Sequence, residues 1–512
     1  MGPDKYNNKL FNFRALARDT NRLNDINEHD YRDAFQRDRD RILYSKEFRR
    51  LSGKTQIFVT GEDDHLRTRL THTLEVAQIA ETISRRLGLD EMLIVAIAYA
   101  HDIGHTPFGH IGERTLNHIM NGCFEYYSIN KNLEPKQKGF KHNLQGVRVA
   151  TFLEKTDRDE EPGLNLTKFT LWGIKAHTSS TYGECEYYPK NEKDCHHNGC
   201  AICTTNTKRC GYKNSSNECK TEGQLSVGFY DYTLQYKGKP ILNDEKDWTL
   251  EAVIVAEADE IAQRHHDIED GIYAGLIDVV QLCEYIQQDS RFIVEIRSEI
   301  EGLTNNIKKG ILSQSAIIRR LSRIIVNNYV TLYSETLCTK MEELCKILNI
   351  DFSSPDPKWK EKMIDHFKRI DCTPTDYFCF DEDMKAADKD FSKYLRNHIL
   401  FSELAQSMDG RTAYVIKQLV KAYLTNPQQL PDRTICSIVD EFNGRKKGSI
   451  HSSDNIIRYM TQESYARETL KSLLSMKDED INDILLRRIC DYIAGMTDQY
   501  AMRCFEKLYG LK

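Results

Sequence analysis

The sequence predicts a predominantly helical protein with one short β-hairpin and one irregular, cysteine-rich insertion. Three observations carry this. Apolar residues recur at helical spacing, as at Leu74, Ala77, Ala80, Ile83 and Leu87, and from about Asp278 onward the chain reads as helices with short breaks. Phe229 to Leu242 alternates apolar with polar residues around a Lys-Gly-Lys turn, the pattern of a hairpin. Between Cys185 and Cys219 six cysteines, His196 and His197 stand among few apolar residues, so neither periodicity develops there.

Taken in order, residues 1–30 are polar and are expected to form an arm over the body. From Tyr31 to Phe58, Arg32, Arg37, Arg39, Arg41, Arg49 and Arg50 interleave with Phe35, Ile42, Leu43, Phe48 and Leu51, which predicts a helix with one buried face and a solvated basic face. Its end, Lys54 to Phe58, turns extended. A helix from about Thr73 to Leu87 is ended by Gly88, and His72 sits at its first turn. Met92 to Ala100 is strongly apolar but too short to cross a bilayer, so it reads as a buried helix. Further helices begin near Glu113 and at His142, and the stretch Leu171 to His177 contains Lys175. After Thr249, the residues Ala252, Val253, Val255, Ala256 and Ile261 form an apolar helix with Asp259 inside it. Ser353 to Lys358 is a proline-containing loop, and Asp480 to Tyr509 reads as one long helix. The expected organisation is an arm (1–30), a catalytic core (31–330) carrying the insertion (184–224), and a C-terminal helical region (331–512) packed on the core.

At 512 residues the chain can bury a large core, and 29% charged with 40% hydrophobic residues is an ordinary soluble composition. A net charge of −6 gives no global nucleic-acid signal. The start lacks the apolar stretch of an export signal and no segment is long enough to span a membrane, so a cytoplasmic location, reduced thiols and no membrane partner are expected.

The chemistry concentrates in His101-Asp102-Ile103-Gly104-His105-Thr106-Pro107-Phe108-Gly109-His110. Alone, a His-Asp pair ending a helix reads as a solvent-facing cap. Here it ends a buried helix, where an unpaired carboxylate is very costly and must meet a cation or many donors. Asp259 is a second carboxylate on an apolar helix. Together with His72 and His101 these carboxylates make a mixed nitrogen and oxygen set suited to a catalytic divalent ion.

Several separated blocks resemble the HD-domain superfamily and, within it, the bacterial deoxyguanosine-triphosphate triphosphohydrolases. These are Arg39-Asp40-Arg41-Ile42 through Phe48-Arg49-Arg50-Leu51 to Lys54-Thr55-Gln56; Arg69-Leu70-Thr71-His72; His101 to His110 continued by Gly112-Glu113; His142-Asn143 with Gln145 and Arg148; Ala258-Asp259 through His266-Asp267-Ile268-Glu269-Asp270; and Asp491 to Asp498. The resemblance implies an all-α fold with an HD-domain helical core, and a metal, Mn2+ or Mg2+, on His72, His101, Asp102 and Asp259. It implies His110 as the catalytic histidine beside the α-phosphate, with Glu113 one turn on to orient it. His105, His142 and Arg69 are implied as phosphate contacts, Gln56 and Asp267 as residues near the sugar or base, and Lys175 as a phosphate-binding lysine. The implied reaction hydrolyses a dNTP, dGTP first among them, to deoxynucleoside and tripolyphosphate. A homo-oligomer, a hexamer by analogy, and a dNTP or single-stranded nucleic-acid effector are implied as well.

One departure is Gln263, where many relatives carry a tyrosine that reads the deoxyribose. The insertion is another. Cys200-x2-Cys203 followed by Cys210 and Cys219, with Cys195, His196 and His197 upstream, resembles a structural zinc knuckle; a loop of reduced thiols is the alternative. Two other functional readings stay open: another HD phosphohydrolase acting on nucleotides, and a regulatory nucleic-acid-binding protein with a degenerate HD site.

Overall fold

The computed structural model describes residues 6–24, 31–56, 67–123, 133, 135–154, 163–180, 225–236, 238–446, 463–476 and 479–510. The fold is all-α apart from one two-stranded hairpin. The helices that build and brace the site are α1 (Ala34–Leu43), α2 (Arg69–Leu87), α3 (Glu91–Ala100), α4 (Gly109–Met120), α5 (His142–Arg148), α6 (Lys168–Ala176), α7 (Leu250–Tyr273), α8 (Gln314–Ile347), α9 (Glu382–Leu400), α10 (Glu403–Thr425), α11 (Glu479–Ala494) and α12 (Asp498–Tyr509).

Local chemistry sets the ends of these helices. Thr68 caps α2 by accepting from the Thr71 N–H, so the helix begins at Arg69, four residues before the expected Thr73 and with His72 already inside it. It ends where Gly88 takes a left-handed φ of 78°. Asp90 and Thr249 cap α3 and α7 in the same way.

Two apolar clusters dominate the interior. In the larger, Val76, Ala80 and Ile83 of α2 meet Leu93, Ile94 and Ile97 of α3, Val253, Ile254 and Ala258 of α7, and Leu321 and Ile325 of α8. In the second, Leu116 and Ile119 of α4 pack with Ile416 and Leu419 of α10 and Ile484, Leu485 and Ile489 of α11. The HD turn, residues 101–108, joins α3 in the first cluster to α4 in the second. Helix α8 runs unbroken through position 330, and its buried residues Leu321, Ile325, Tyr333 and Leu337, on both sides of that position, belong to the first cluster.

Residues 6–24 lie on the body. The Asn8 and Leu10 N–H groups donate to the carbonyls of Arg86 and Leu87, each at 2.9 Å, and Phe13 packs edge-on to Trp359 at 5.2 Å. The hairpin is shorter than its alternation suggests. It covers Gln235–Tyr236 and Lys239–Pro240, while Gly228–Thr233 is helical and buries the neighbours Phe229 and Tyr230 against Leu144. The C-terminal stretch breaks between α11 and α12, where Thr497 caps α12 through the Tyr500 N–H. Among the described residues no helix is long and apolar enough to cross a membrane, and every cysteine is a free thiol. The cysteine-rich insertion, with Cys195, Cys200, Cys203, Cys210 and Cys219, lies outside the described residues.

Candidate metal centre

The HD turn is held by backbone fit and by polar ties to the C-terminal helices. A Cβ at Gly104 would lie 2.1 Å from the His142 carbonyl oxygen and 2.2 Å from the Gly146 nitrogen, so only glycine lets the turn rest on α5. Phe108 turns the chain with φ 63°, and its N–H donates to Asp498 Oδ1 at 2.9 Å. The other oxygen of Asp498 accepts the Thr55 N–H at 2.9 Å and the Thr55 hydroxyl. Buried Lys54 donates from Nζ to the His105 carbonyl at 2.5 Å and to the Ala494 carbonyl at 3.0 Å; its burial pushes the amine down to about 8. On α5, Arg148 forks onto Asp491 at 2.7 and 3.1 Å, and Gln145 donates to the same carboxylate at 3.0 Å. Residues near the end of the chain thus fix both sides of the turn.

α2, the end of α3 and α7 bring His72, His101, Asp102 and Asp259 together. His72 Nε2 lies 2.9 Å from Asp259 Oδ1 and 4.0 Å from Asp102 Oδ2, and His101 Nε2 lies 3.5 Å from Asp102 Oδ1 and 3.9 Å from Asp259 Oδ1. His72, His101 and Asp102 each offer a ligand atom within 4.8 Å of the others. The donor set fits a metal. His101 Nδ1 faces the Ala98 carbonyl at 2.7 Å and must carry the proton, which leaves Nε2 as a bare lone pair, and that atom is buried without a hydrogen-bond partner. Burial alone would raise Asp102, but His101, Arg69 and His105 hold it well below the usual carboxylate range; Asp259 is lowered likewise by the neighbouring imidazoles of His72 and His101.

A wall of cations and imidazoles adjoins this cluster. Arg69 donates from Nη1 to Asp102 at 2.7 Å, while its buried Nε and Nη2 have no partner. His105 Nε2 donates to Asp102 Oδ1 at 3.1 Å, and its buried Nδ1 is unpartnered. Burial, then the charges of Arg69 and His142, push His105 well below the usual imidazole range. Its ring stacks on His142 at 3.8 Å. His142 Nδ1 meets Glu113 Oε2 at 2.9 Å, and its Nε2 meets Nε2 of His177 at 3.1 Å. His177 Nδ1 donates to the Ile174 carbonyl at 2.8 Å, so its Nε2 accepts and His142 presents an N–H at each end. His142 therefore donates through Nδ1 to Glu113, whose carboxylate is held well below its usual range chiefly by His142, against the opposing effect of burial.

His177 was not legible as a site residue. Burial and the neighbouring His142 and His101 push it down to about 3. Its one sequence signal is that it extends the buried stripe Thr170, Ile174 of α6 by one more turn. His110 stands at the mouth, 75% exposed, with Nδ1 3.8 Å from Glu113. The expected pairing of Glu113 with His110 is present, but His142, arriving from α5, lies closer to the same carboxylate.

Gln56 lies beside the cluster and donates to Gln263 at 3.0 Å, and Gln263 donates to Asp267 at 2.6 Å. Gln56 Oε1 and Asp267 Oδ2 are buried without partners. Burial raises Asp267 to about 6, offset in part by Arg264 and Gln263. Lys175 does not join the site. It pairs through Nζ with both oxygens of Asp244 at 2.9 Å, and the same carboxylate accepts the Trp172 indole N–H. On α6 the lysine lies two residues before His177, a spacing that turns it away from the cluster.

The HD domain family model matches residues 69–264, which hold all four candidate ligands, and a phosphohydrolase-associated domain matches 456–507, which hold Asp491 and Asp498. Among curated proteins, a deoxyguanosinetriphosphate triphosphohydrolase-like protein of Brucella suis is 30% identical over 93% of this chain and 90% of its own length. The chain belongs to this HD-domain family. Similarly named members from Bartonella quintana (30% identical, 93% of this chain, 90% of its own) and Thiobacillus denitrificans (29%, 94% and 92%) align over nearly the whole length as well. The matches cover both the HD turn and the C-terminal helices that brace it.

Proposed function

We propose that the protein is a metal-dependent dNTP triphosphohydrolase that releases a deoxynucleoside and tripolyphosphate, with dGTP as the first candidate substrate. The observation that carries this is the juxtaposition of the His72, His101, Asp102 and Asp259 cluster with buried hydrogen-bond donors on Arg69 and His142. A triphosphate needs several such donors at once. A divalent ion, Mn2+ or Mg2+, held by those four residues would supply a Lewis acid for a phosphoryl oxygen. Arg69 and His142 hold the phosphate oxygens. His110, exposed at the mouth, passes a proton to the departing sugar oxygen in this reading. Gln56 and Asp267, with Gln263 between them, offer a polar edge to the sugar or base. The names of the relatives support the substrate class.

One observation favours a second reading, an HD phosphohydrolase acting on a nucleotide with fewer phosphates. Lys175 is engaged by Asp244, so the site holds one cation fewer than the resemblance implies. Turnover by the manganese-loaded protein with the four dNTPs, the matching NTPs and the dNMPs, read by chromatography, separates the two. The proposal expects activity confined to triphosphates. By likeness to the family we further propose a homo-oligomer, a hexamer by analogy, with a dNTP or single-stranded nucleic-acid effector.

A further inference from the structure

Behind the candidate metal centre, away from the phosphate wall, lies a polar cluster that the proposed chemistry does not use. It is built on the same two helices. Glu75 follows His72 by three residues on α2, and His266 follows Asp259 by seven on α7, so each lies on the face of its helix that carries the ligand. His266 is fully buried. Its Nδ1 lies 3.3 Å from Nδ1 of His72, and its Nε2 is hydrogen-bonded to Glu75 Oε2. Glu75 is held in turn by Arg67 Nε at 3.5 Å and by His265 Nδ1 at 3.4 Å, and His265 Nε2 reaches Glu269 at 3.0 Å.

We infer that Glu75 and His266 are positioning residues which, through a chain of hydrogen bonds, fix the tautomer of His72 that can hold a metal. The inference rests on the metal reading of the site. Only one proton can occupy the bond between the two Nδ1 atoms. The Glu75 carboxylate can only accept, so His266 must carry its proton on Nε2. His266 Nδ1 is then the acceptor, and the shared proton belongs to His72 Nδ1. His72 Nε2, 2.9 Å from Asp259 Oδ1, is then the nitrogen that would offer its lone pair to a metal held beside Asp259 and Asp102. His101 reaches the same state through the Ala98 carbonyl, so both imidazoles of the centre are set by a partner on Nδ1.

Glu75, His265 and His266 also present ligand atoms close enough to hold an ion of their own. The proton chain argues against that use. An ion on His266 Nε2 would force the proton onto His266 Nδ1, hence a proton onto His72 Nε2, and close the first site. The Arg67 guanidinium beside Glu75 opposes a second cation as well.

The test is uptake of Mn2+ by the metal-free full-length protein, with free ion counted by electron paramagnetic resonance and no substrate present. Glu75→Gln, nearly isosteric and on a partly exposed side chain, and His266→Gln are each expected to weaken binding by about 10–100-fold, the usual cost of losing such a support. Glu269→Gln, which touches His265 and Arg67 but neither Glu75 nor His266, is expected to leave affinity unchanged. Equal affinity in wild type, Glu75→Gln and His266→Gln overturns the inference, whatever happens to the melting temperature of the metal-free proteins. An equal loss in Glu269→Gln makes the effect one of general charge and overturns it too. Two ions in wild type, of which Glu75→Gln loses one and keeps the other at full affinity, assigns the cluster to a second metal and also overturns it. A wild-type protein that takes up no manganese overturns the metal reading itself.

Discussion

The carboxylate of Glu113 accepts the Nδ1–H of His142 at 2.9 Å, nearly an ångström closer than its 3.8 Å approach to His110 Nδ1. It also accepts the His142 backbone N–H at 3.2 Å. Glu113 therefore supports the buried wall of imidazoles as well as the exposed histidine. Removing His110 is expected to lower kcat by about 10²–10⁴-fold, the range of a general acid or base, with little effect on KM. In a His110→Ala background, Glu113→Gln should still cost roughly a further tenfold in kcat/KM, because a hydrogen bond to a charged group is worth about 1.5 kcal/mol or more. Steady-state kinetics of the single and double variants decide this; no further loss would mean that Glu113 acts through His110 alone.

Asp102→Ala and Asp259→Ala are each expected to abolish metal retention and turnover. Both carboxylates face bare or shared imidazole nitrogens, and solvent replaces neither their charge nor their geometry. Metal analysis after gel filtration is the check, and full activity in a metal-free Asp259→Ala protein would contradict the assignment.

Arg69 and Lys175, equivalent on the strength of resemblance, should behave differently. Arg69 has two buried donor nitrogens without partners, and Lys175 is taken up by Asp244. Arg69→Lys loses the guanidinium fork and is expected to raise KM for a triphosphate substantially. Lys175→Met is expected to change KM by no more than about twofold, since partly exposed ion pairs contribute roughly 0–1 kcal/mol.

Asp267 gives a pH signature. Its carboxyl titrates near 6 in the fold against 3.8 as the ordinary value, so the folded state takes up the proton first as pH falls. The ionised carboxylate then costs the fold on the order of 3 kcal/mol above pH 6, and that cost disappears as pH drops through 6 towards 3.8. Asp267→Asn is expected to melt higher than wild type at pH 8, with the gap closing by pH 4. A gap independent of pH would show that Asp267 is not held neutral.

Much of this was legible in the residues. A nine-residue apolar run ending in His-Asp requires a buried helix with a charged end, and Asp259 inside an apolar stripe requires a cation nearby. The helical fold follows from periodicity over most of the chain. What stayed hidden depended on tertiary partners. The i, i+3 spacing joined Glu113 to His110, but His142 arrives from another helix and comes closer. Lys175 sits in the right stretch, yet Asp244, some seventy residues on, draws it away. His177 closes the stretch Leu171 to His177, in which only Lys175 was singled out. The alternation at Phe229 and Tyr230 was overridden because both rings pack on Leu144 from a helical turn.

The central claim is that this metal centre and its phosphate wall act at the α-phosphorus of a dNTP. Hydrolysis in ¹⁸O-water followed by phosphorus NMR tests it most directly. The account predicts intact tripolyphosphate carrying the heavy oxygen, together with unlabelled deoxynucleoside. Orthophosphate or pyrophosphate as the first product, or label on the sugar, would contradict it.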